Sequence, residues 1–196
     1  MTNSRRATSS SRGVRQTQRR QQSQRASLAL IVAGMGLLTA VFLVFNRNPA
    51  NPDLQPISLG NAMPDLALKD LSGNTVYLSN YAGRPVLINA WATWCPPCRE
   101  EMPLLQVYYQ AHQAEGLAFL AINAGEDAAT INKFIANNGF SFPVLLDPDA
   151  DSLYRLGIDS FPTSVLVGRD GTVKAVHIGL LTAATLDEEF TPYLAR

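Results

Sequence analysis

The sequence predicts an α/β fold, a mixed sheet flanked by helices, carried behind one N-terminal membrane-spanning helix. Three observations predict it: an uncharged apolar run after an arginine-rich tail, a strand-helix-strand pattern in mid-chain, and short apolar runs bounded by turn signals on both sides of that pattern.

The 196 residues sum to a formal net charge of zero, and the sum hides an asymmetry. Residues 1–27 hold seven arginines and no acid, whereas the remainder carries 9 Lys/Arg against 16 Asp/Glu, a net of −7. The tail is rich in Ser, Gln and Thr and has too little apolar surface to offset its ordering entropy, so it is expected to be a disordered cytoplasmic segment. Such a tail could also bind polyanions by counterion release. Because an apolar span follows directly, its arginines are assigned to topology and lipid headgroups, and no nucleic-acid partner is expected.

Residues 28–45 (LALIVAGMGLLTAVFLVF) are 18 uncharged residues, about 27 Å as a helix, close to the thickness of a hydrocarbon core. A cleavable signal peptide shows the same order of regions, but Phe45-Asn46-Arg47-Asn48 supplies no small-residue cleavage site. The span is therefore read as a signal anchor in the lipid bilayer, N-terminus inside, with the rest of the chain outside the cytoplasm. Residues 46–64 contain four prolines and no periodicity, and read as a semi-extended linker.

The domain is expected over 65–196. Leu66–Lys69 and Thr75–Leu78 flank Ser72-Gly73-Asn74 as a hairpin, and Pro85–Trp91 is apolar enough for a buried central strand. A helix over about Pro96–Ala114 and a second buried strand over Leu117–Asn123 complete a βαβ unit. Ala128–Asn138 has helical spacing and stops at Gly139. Pro143–Leu146 reads as a short strand and Ala150–Leu156 as a short helix. Thr163–Val167 and Thr172–Ile178 are joined by Arg169-Asp170-Gly171 as a hairpin, and Ala183–Leu194 reads as a closing helix.

The two cysteines of the chain stand in Trp94-Cys95-Pro96-Pro97-Cys98, directly after the central strand. This spacing puts the second sulfur one helical turn from the first. With Pro96 opening the helix, Cys95 sits where free N–H groups and the helix dipole favour a thiolate, which is the form that attacks disulfides. Cys98, inside the first turn, is then the resolving thiol. A structural disulfide, a zinc half-site and two unrelated thiols are the alternatives. A four-residue loop constrains little of the unfolded chain, and beyond the cysteines only His112 and His177 could complete a zinc set, at no ligand-like spacing.

The string Asn89-Ala-Trp-Ala-Thr-Trp-Cys-Pro-Pro-Cys-Arg-Glu-Glu-Met-Pro103 resembles the active-site segment of the TlpA/ResA-like (CcmG-like) branch of the thioredoxin superfamily, related to the AhpC/TSA redoxins. The resemblance covers roughly residues 60–195. It implies a thioredoxin-like fold with an inserted helix and strand, and a membrane-anchored thiol-disulfide oxidoreductase whose redox centre is the Cys95–Cys98 pair without further cofactor or metal. Its partners would be protein disulfide or dithiol substrates, apocytochrome c among the candidates, and a membrane electron donor. Phe161-Pro162-Thr163 looks like the family's cis-proline loop, whose backbone groups can pair with an extended substrate segment. Trp94, Pro96, Pro97, Phe161 and Thr163 are accordingly expected at the substrate surface, with Trp94 as a partly exposed lid and Trp91 in the core.

Many thioredoxins carry a buried Asp where this chain has Asn89, which cannot take a proton. Glu101 aligns with the glutamate of the ResA-like reductases, where a buried carboxyl can exchange protons with Cys98. The competing reading of Glu101 is a solvated helix residue like Glu100. Disulfide oxidase or isomerase activity, thiol-dependent peroxidase activity and a non-catalytic binding module are the functional alternatives. Ala92 occupies the position where such peroxidases need Thr.

Overall fold

The computed structural model describes residues 54–194. The basic tail (1–27), the apolar span (28–45) and residues 46–53 lie outside the described residues. Among the described residues no helix is long and apolar enough to cross a membrane.

Seven strands form one mixed sheet in the order β2-β1-β5-β4-β3-β6-β7: β1 Ala67–Asp70, β2 Thr75–Tyr77, β3 Val86–Trp91, β4 Ala118–Ala124, β5 Val144–Asp147, β6 Thr163–Val167 and β7 Val173–Ile178. The helices are α1 Pro96–His112, α2 Ala128–Asn138, α3 Asp151–Arg155 and a short α4 Ala183–Thr185. β3 pairs parallel with β4 and antiparallel with β6, and β4 pairs parallel with β5. Every residue of β3 is buried because both of its faces are covered. Leu87 and Trp91 join the cluster with Met102, Leu105 and Phe119, while Val86, Ile88 and Ala90 join the cluster with Leu120, Leu153 and Val165.

Local chemistry sets the helix ends. Asp127 caps α2 by accepting from Thr130 N–H at 2.9 Å, and Gly139 ends it at φ 67°, a conformation that costs glycine nothing. Ala150 precedes α3 at φ 54° and has no capping side chain. The Asp147 carboxylate takes that part, accepting from Leu153 N–H at 2.9 Å and Ser152 N–H at 3.3 Å.

Three arrangements go beyond the sequence reading. The β1–β2 hairpin is added antiparallel to β5, the inserted strand, and so extends the sheet at that edge. Residues 54–64 are laid on the domain: Ile57 N–H donates to the Leu156 carbonyl, Gly60 N–H to Val173 and Met63 N–H to Gly171, and Leu54 is buried. The expected closing helix over Ala183–Leu194 is broken into α4, a wide π turn over Leu186–Phe190 and a 3₁₀ turn over Thr191–Tyr193. Pro192 cannot donate to a helical carbonyl, and Thr191 sends both its N–H and its hydroxyl to the carbonyl of Leu186.

The pole opposite the cysteines is tied by two arginines. Arg84 donates to the carbonyls of Gly116 and Leu117, and Arg169 donates to those of Gly83, Glu115 and Leu194, joining three separate segments. Arg169→Ala leaves these carbonyls without their shared donor. It is expected to destabilise the domain by about 1–3 kcal/mol in urea unfolding, with the exchange chemistry at the other pole unchanged.

Candidate active site

β3 ends at Trp91, and the chain turns through Ala92, Thr93 and Trp94 into α1. Cys95 is the N-cap of that helix, with extended dihedrals (φ −89°, ψ 108°), and its sulfur accepts from Cys98 N–H at 3.2 Å. Pro96 and Pro97 occupy the first helical positions, where a missing N–H costs nothing. The two sulfurs form a disulfide. Cys95 keeps 3% of its surface accessible and Cys98 none, so the outer sulfur is the one an attacking thiolate can approach. The site stands at the carboxyl end of the parallel strands, where open α/β sheets place their ligands.

The register of β3 with β6 brings the second segment to the same place. Ala90 lies opposite Thr163, so Phe161 and Pro162 extend past the ladder at the level of Trp91 and the cysteine turn. The Phe161–Pro162 peptide bond is cis. Phe161 packs on the cluster that contains both cysteines, and its ring meets Trp94 edge-on at 6.2 Å between centroids. Trp94 is 63% exposed and Pro96 is exposed, giving an apolar rim beside Cys95. Pro162 has its carbonyl engaged by Gly179 N–H at 2.8 Å, and Thr163 is buried with its hydroxyl donating to the Ser160 carbonyl at 2.7 Å. Of the loop residues, Phe161 is therefore the one placed at the accessible edge. Trp91 is fully buried, with its ring 5.4 Å from that of Phe134.

Cys98, Glu101, Met102 and Leu105 follow helical spacing along the inner face of α1, and Pro103 sits exposed on the outer face of the unbroken helix. Glu101 is 1% exposed, unlike its exposed neighbour Glu100. One carboxylate oxygen accepts from Asn89 Nδ2 and the other from Leu181 N–H, each at 2.8 Å. Burial raises its pKa above the ordinary carboxylate value, against the lowering effects of the Leu181 and Asn89 hydrogen bonds and of His177. As residues i and i+3 of one helix, Cys98 and Glu101 have Cβ atoms about 5–6 Å apart.

Glu126 escaped the sequence reading. Standing just after β4, it accepts from Thr93 N–H at 2.6 Å, from the Thr93 hydroxyl, and from Asn123 Nδ2 at 2.8 Å, clamping the turn two residues before Cys95. The available signal was an acid following the Gly125 turn at the carboxyl end of a buried strand. Glu126→Ala is expected to cost about 1–2 kcal/mol in urea unfolding of the oxidised protein, because Thr93 N–H loses its acceptor.

His112 pairs with Glu115 at 3.2 Å and His177 with Glu189 at 3.3 Å. Among the described residues no group of three or more His, Cys, Asp or Glu is arranged to hold a metal ion.

A cysteine disulfide capping the helix after a buried central strand, faced by a cis-proline loop on a mixed sheet, defines a thiol-disulfide oxidoreductase of the thioredoxin-like class. The redox centre of this class is the cysteine pair itself, without a separate cofactor. The chain belongs to the redoxin family, which matches residues 58–188. It is 36% identical to the thiol-disulfide oxidoreductase ResA of Geobacillus thermodenitrificans over 126 residues, covering 64% of this chain and 72% of the relative. It is 32% identical to ResA of Bacillus subtilis over 134 residues, 68% and 75% of the two chains. Among solved structures, StoA from Bacillus subtilis superposes with a TM-score of 0.55 at 28% identity, covering 63% of this chain and 94% of that one.

Proposed function

We propose that this oxidoreductase is a disulfide reductase of protein substrates, held by residues 28–45 at the outer face of the cytoplasmic membrane and recharged there by a membrane electron donor. Cytochrome c maturation is the process to which the ResA-like resemblance points, with the apocytochrome disulfide as substrate. The Cys95 thiolate attacks the substrate disulfide, forming a mixed disulfide and releasing one substrate thiolate. Cys98 then gives up its proton and attacks Cys95, so that the Cys95–Cys98 bond forms, the mixed disulfide breaks and the second substrate thiolate leaves.

The observation that carries this reading is the buried Glu101 carboxyl one turn from Cys98. Deprotonating a thiol with no solvent access needs an internal acceptor, and a carboxyl whose pKa is raised by burial takes up a proton more readily than an ordinary carboxylate. Trp94 and Phe161 supply the apolar rim against which a substrate segment lies.

Two experiments test the proposal. The reduced full-length chain is expected to reduce the disulfide of an apocytochrome c Cys-x-x-Cys-His peptide stoichiometrically. Failure of that exchange with a fully reduced dithiol would defeat the reductase assignment. In membrane fractions the chain is expected to resist carbonate extraction and to lose its domain to protease added outside intact spheroplasts. Protection from that protease would reverse the topology.

A further inference from the structure

Both oxygens of Glu101 face donors that cannot act as acceptors: the Asn89 Nδ2 amide group and the Leu181 N–H. That arrangement suits the carboxylate and offers a protonated carboxyl no acceptor in these two partners. The missing acceptor is present on the same side chain. Asn89 is fully buried, and its Oδ1 has no hydrogen-bond partner among the described residues. Its Nδ2 donates not only to Glu101 but also to Ser164 Oγ at 3.0 Å. A serine hydroxyl serves equally as acceptor or donor.

We infer that the Asn89 amide turns over by about half a rotation about its terminal side-chain bond each time Glu101 gains or loses its proton, with Ser164 exchanging acceptor for donor. With Glu101 ionised, Nδ2 donates to the carboxylate and to Ser164 Oγ. With Glu101 protonated, Oδ1 takes the Nδ2 position and accepts from the Glu101 O–H and the Ser164 O–H. Each state then gives Asn89 two hydrogen bonds and leaves no unmet donor or acceptor on Glu101, a mismatch that is costly in a buried site, while the half of the amide turned away from Glu101 lies where Oδ1 has no partner among the described residues. An aspartate at position 89 could not alternate in this way, since its ionised form has no donor. Asn89 and Ser164 are thus positioning residues that let Glu101 hold either protonation state without rearranging the backbone.

The inference rests on the proposed proton exchange between Cys98 and Glu101: the thiol proton moves to the carboxylate as the Cys98 sulfur attacks Cys95 and the substrate thiolate departs. The other charged group that acts on Glu101 is His177 on β7, itself paired at 3.3 Å with Glu189 of the C-terminal turn. The His177 charge lowers the Glu101 pKa but offers no reason for the Asn89 amide to reorient.

The test is magnetic resonance on the full-length reduced chain in detergent micelles, with carboxyl-labelled glutamate and amide-labelled asparagine, over pH 4 to 9. The Asn89 side-chain NH₂ pair is expected to shift with the same midpoint as the Glu101 carboxyl carbon, and to become pH-independent in Glu101→Gln. Asn89→Leu is expected to move the Glu101 midpoint and the pH at which mixed disulfides are resolved. NH₂ signals that pass unchanged through the Glu101 titration would overturn the inference, as would an unmoved Glu101 midpoint in folded Asn89→Leu. Loss of substrate reduction with the coupled titration intact would instead overturn the reductase reading and leave this one standing.

Discussion

Cys95→Ala is expected to reduce thiol-disulfide exchange to the uncatalysed background, whereas Cys98→Ala still attacks substrate and accumulates it as a stable mixed disulfide on Cys95. The asymmetry follows from position. Cys95 caps α1, where the Cys98 N–H and the helix dipole stabilise its thiolate, and it is the sulfur with remaining access, while Cys98 lies under it in the first turn. Non-reducing gels and mass spectrometry of each variant after incubation with a disulfide peptide check the result. Trapping through Cys98 in the Cys95→Ala variant would exchange the two roles. Loss of all trapping by both variants would make the disulfide structural.

The second large effect is expected at Glu101. Removing its proton exchange by Glu101→Gln should slow resolution of the mixed disulfide by Cys98 about 100-fold near neutral pH and flatten the pH dependence of that step, measured by single-turnover kinetics. The same variant carries a thermodynamic signature. Because burial raises the folded-state pKa above the ordinary 4.5, the folded chain keeps its proton to higher pH than the unfolded chain does. Stability from this group is fully present below the unfolded value and is lost as pH rises through the folded one. Asp147, raised chiefly by burial, acts in the same direction, so the difference between wild type and Glu101→Gln isolates Glu101. Thermal unfolding of the oxidised proteins should show wild type losing stability relative to the variant on going from pH 4 toward pH 8. A pH-rate profile identical to wild type would remove the proton role.

The strands and helices were legible where one local signal dominated. Thr163–Val167 and Ala128–Asn138 were placed to the residue, because a proline loop and a turn bound the first and an Asp cap and a glycine stop bound the second. The closing helix was not, since helical spacing continues across Thr191-Pro192 while the proline and the threonine hydroxyl redirect the hydrogen bonds. The docking of the β1–β2 hairpin on β5 was equally invisible: Lys69 and Leu146 stand far apart in the chain, and nothing in their own neighbourhoods pairs them.

At the site, Cys95, Cys98 and Trp94 could be read from their own motif. Glu101 could not be told from Glu100 by spacing alone, and only the packing of α1 on the sheet buries one and exposes the other. Glu126 and Ser164 are set by pairings over 33 and 75 residues, with Thr93 and Asn89 respectively, which no local pattern encodes.

The reduction potential of the Cys95–Cys98 couple in the full-length chain, equilibrated against dithiothreitol and glutathione buffers, tests the reductase assignment most directly. A midpoint below about −230 mV is expected, low enough to pass electrons to substrate disulfides outside the cytoplasm, whereas a midpoint above about −150 mV would make the pair an oxidant and contradict that assignment.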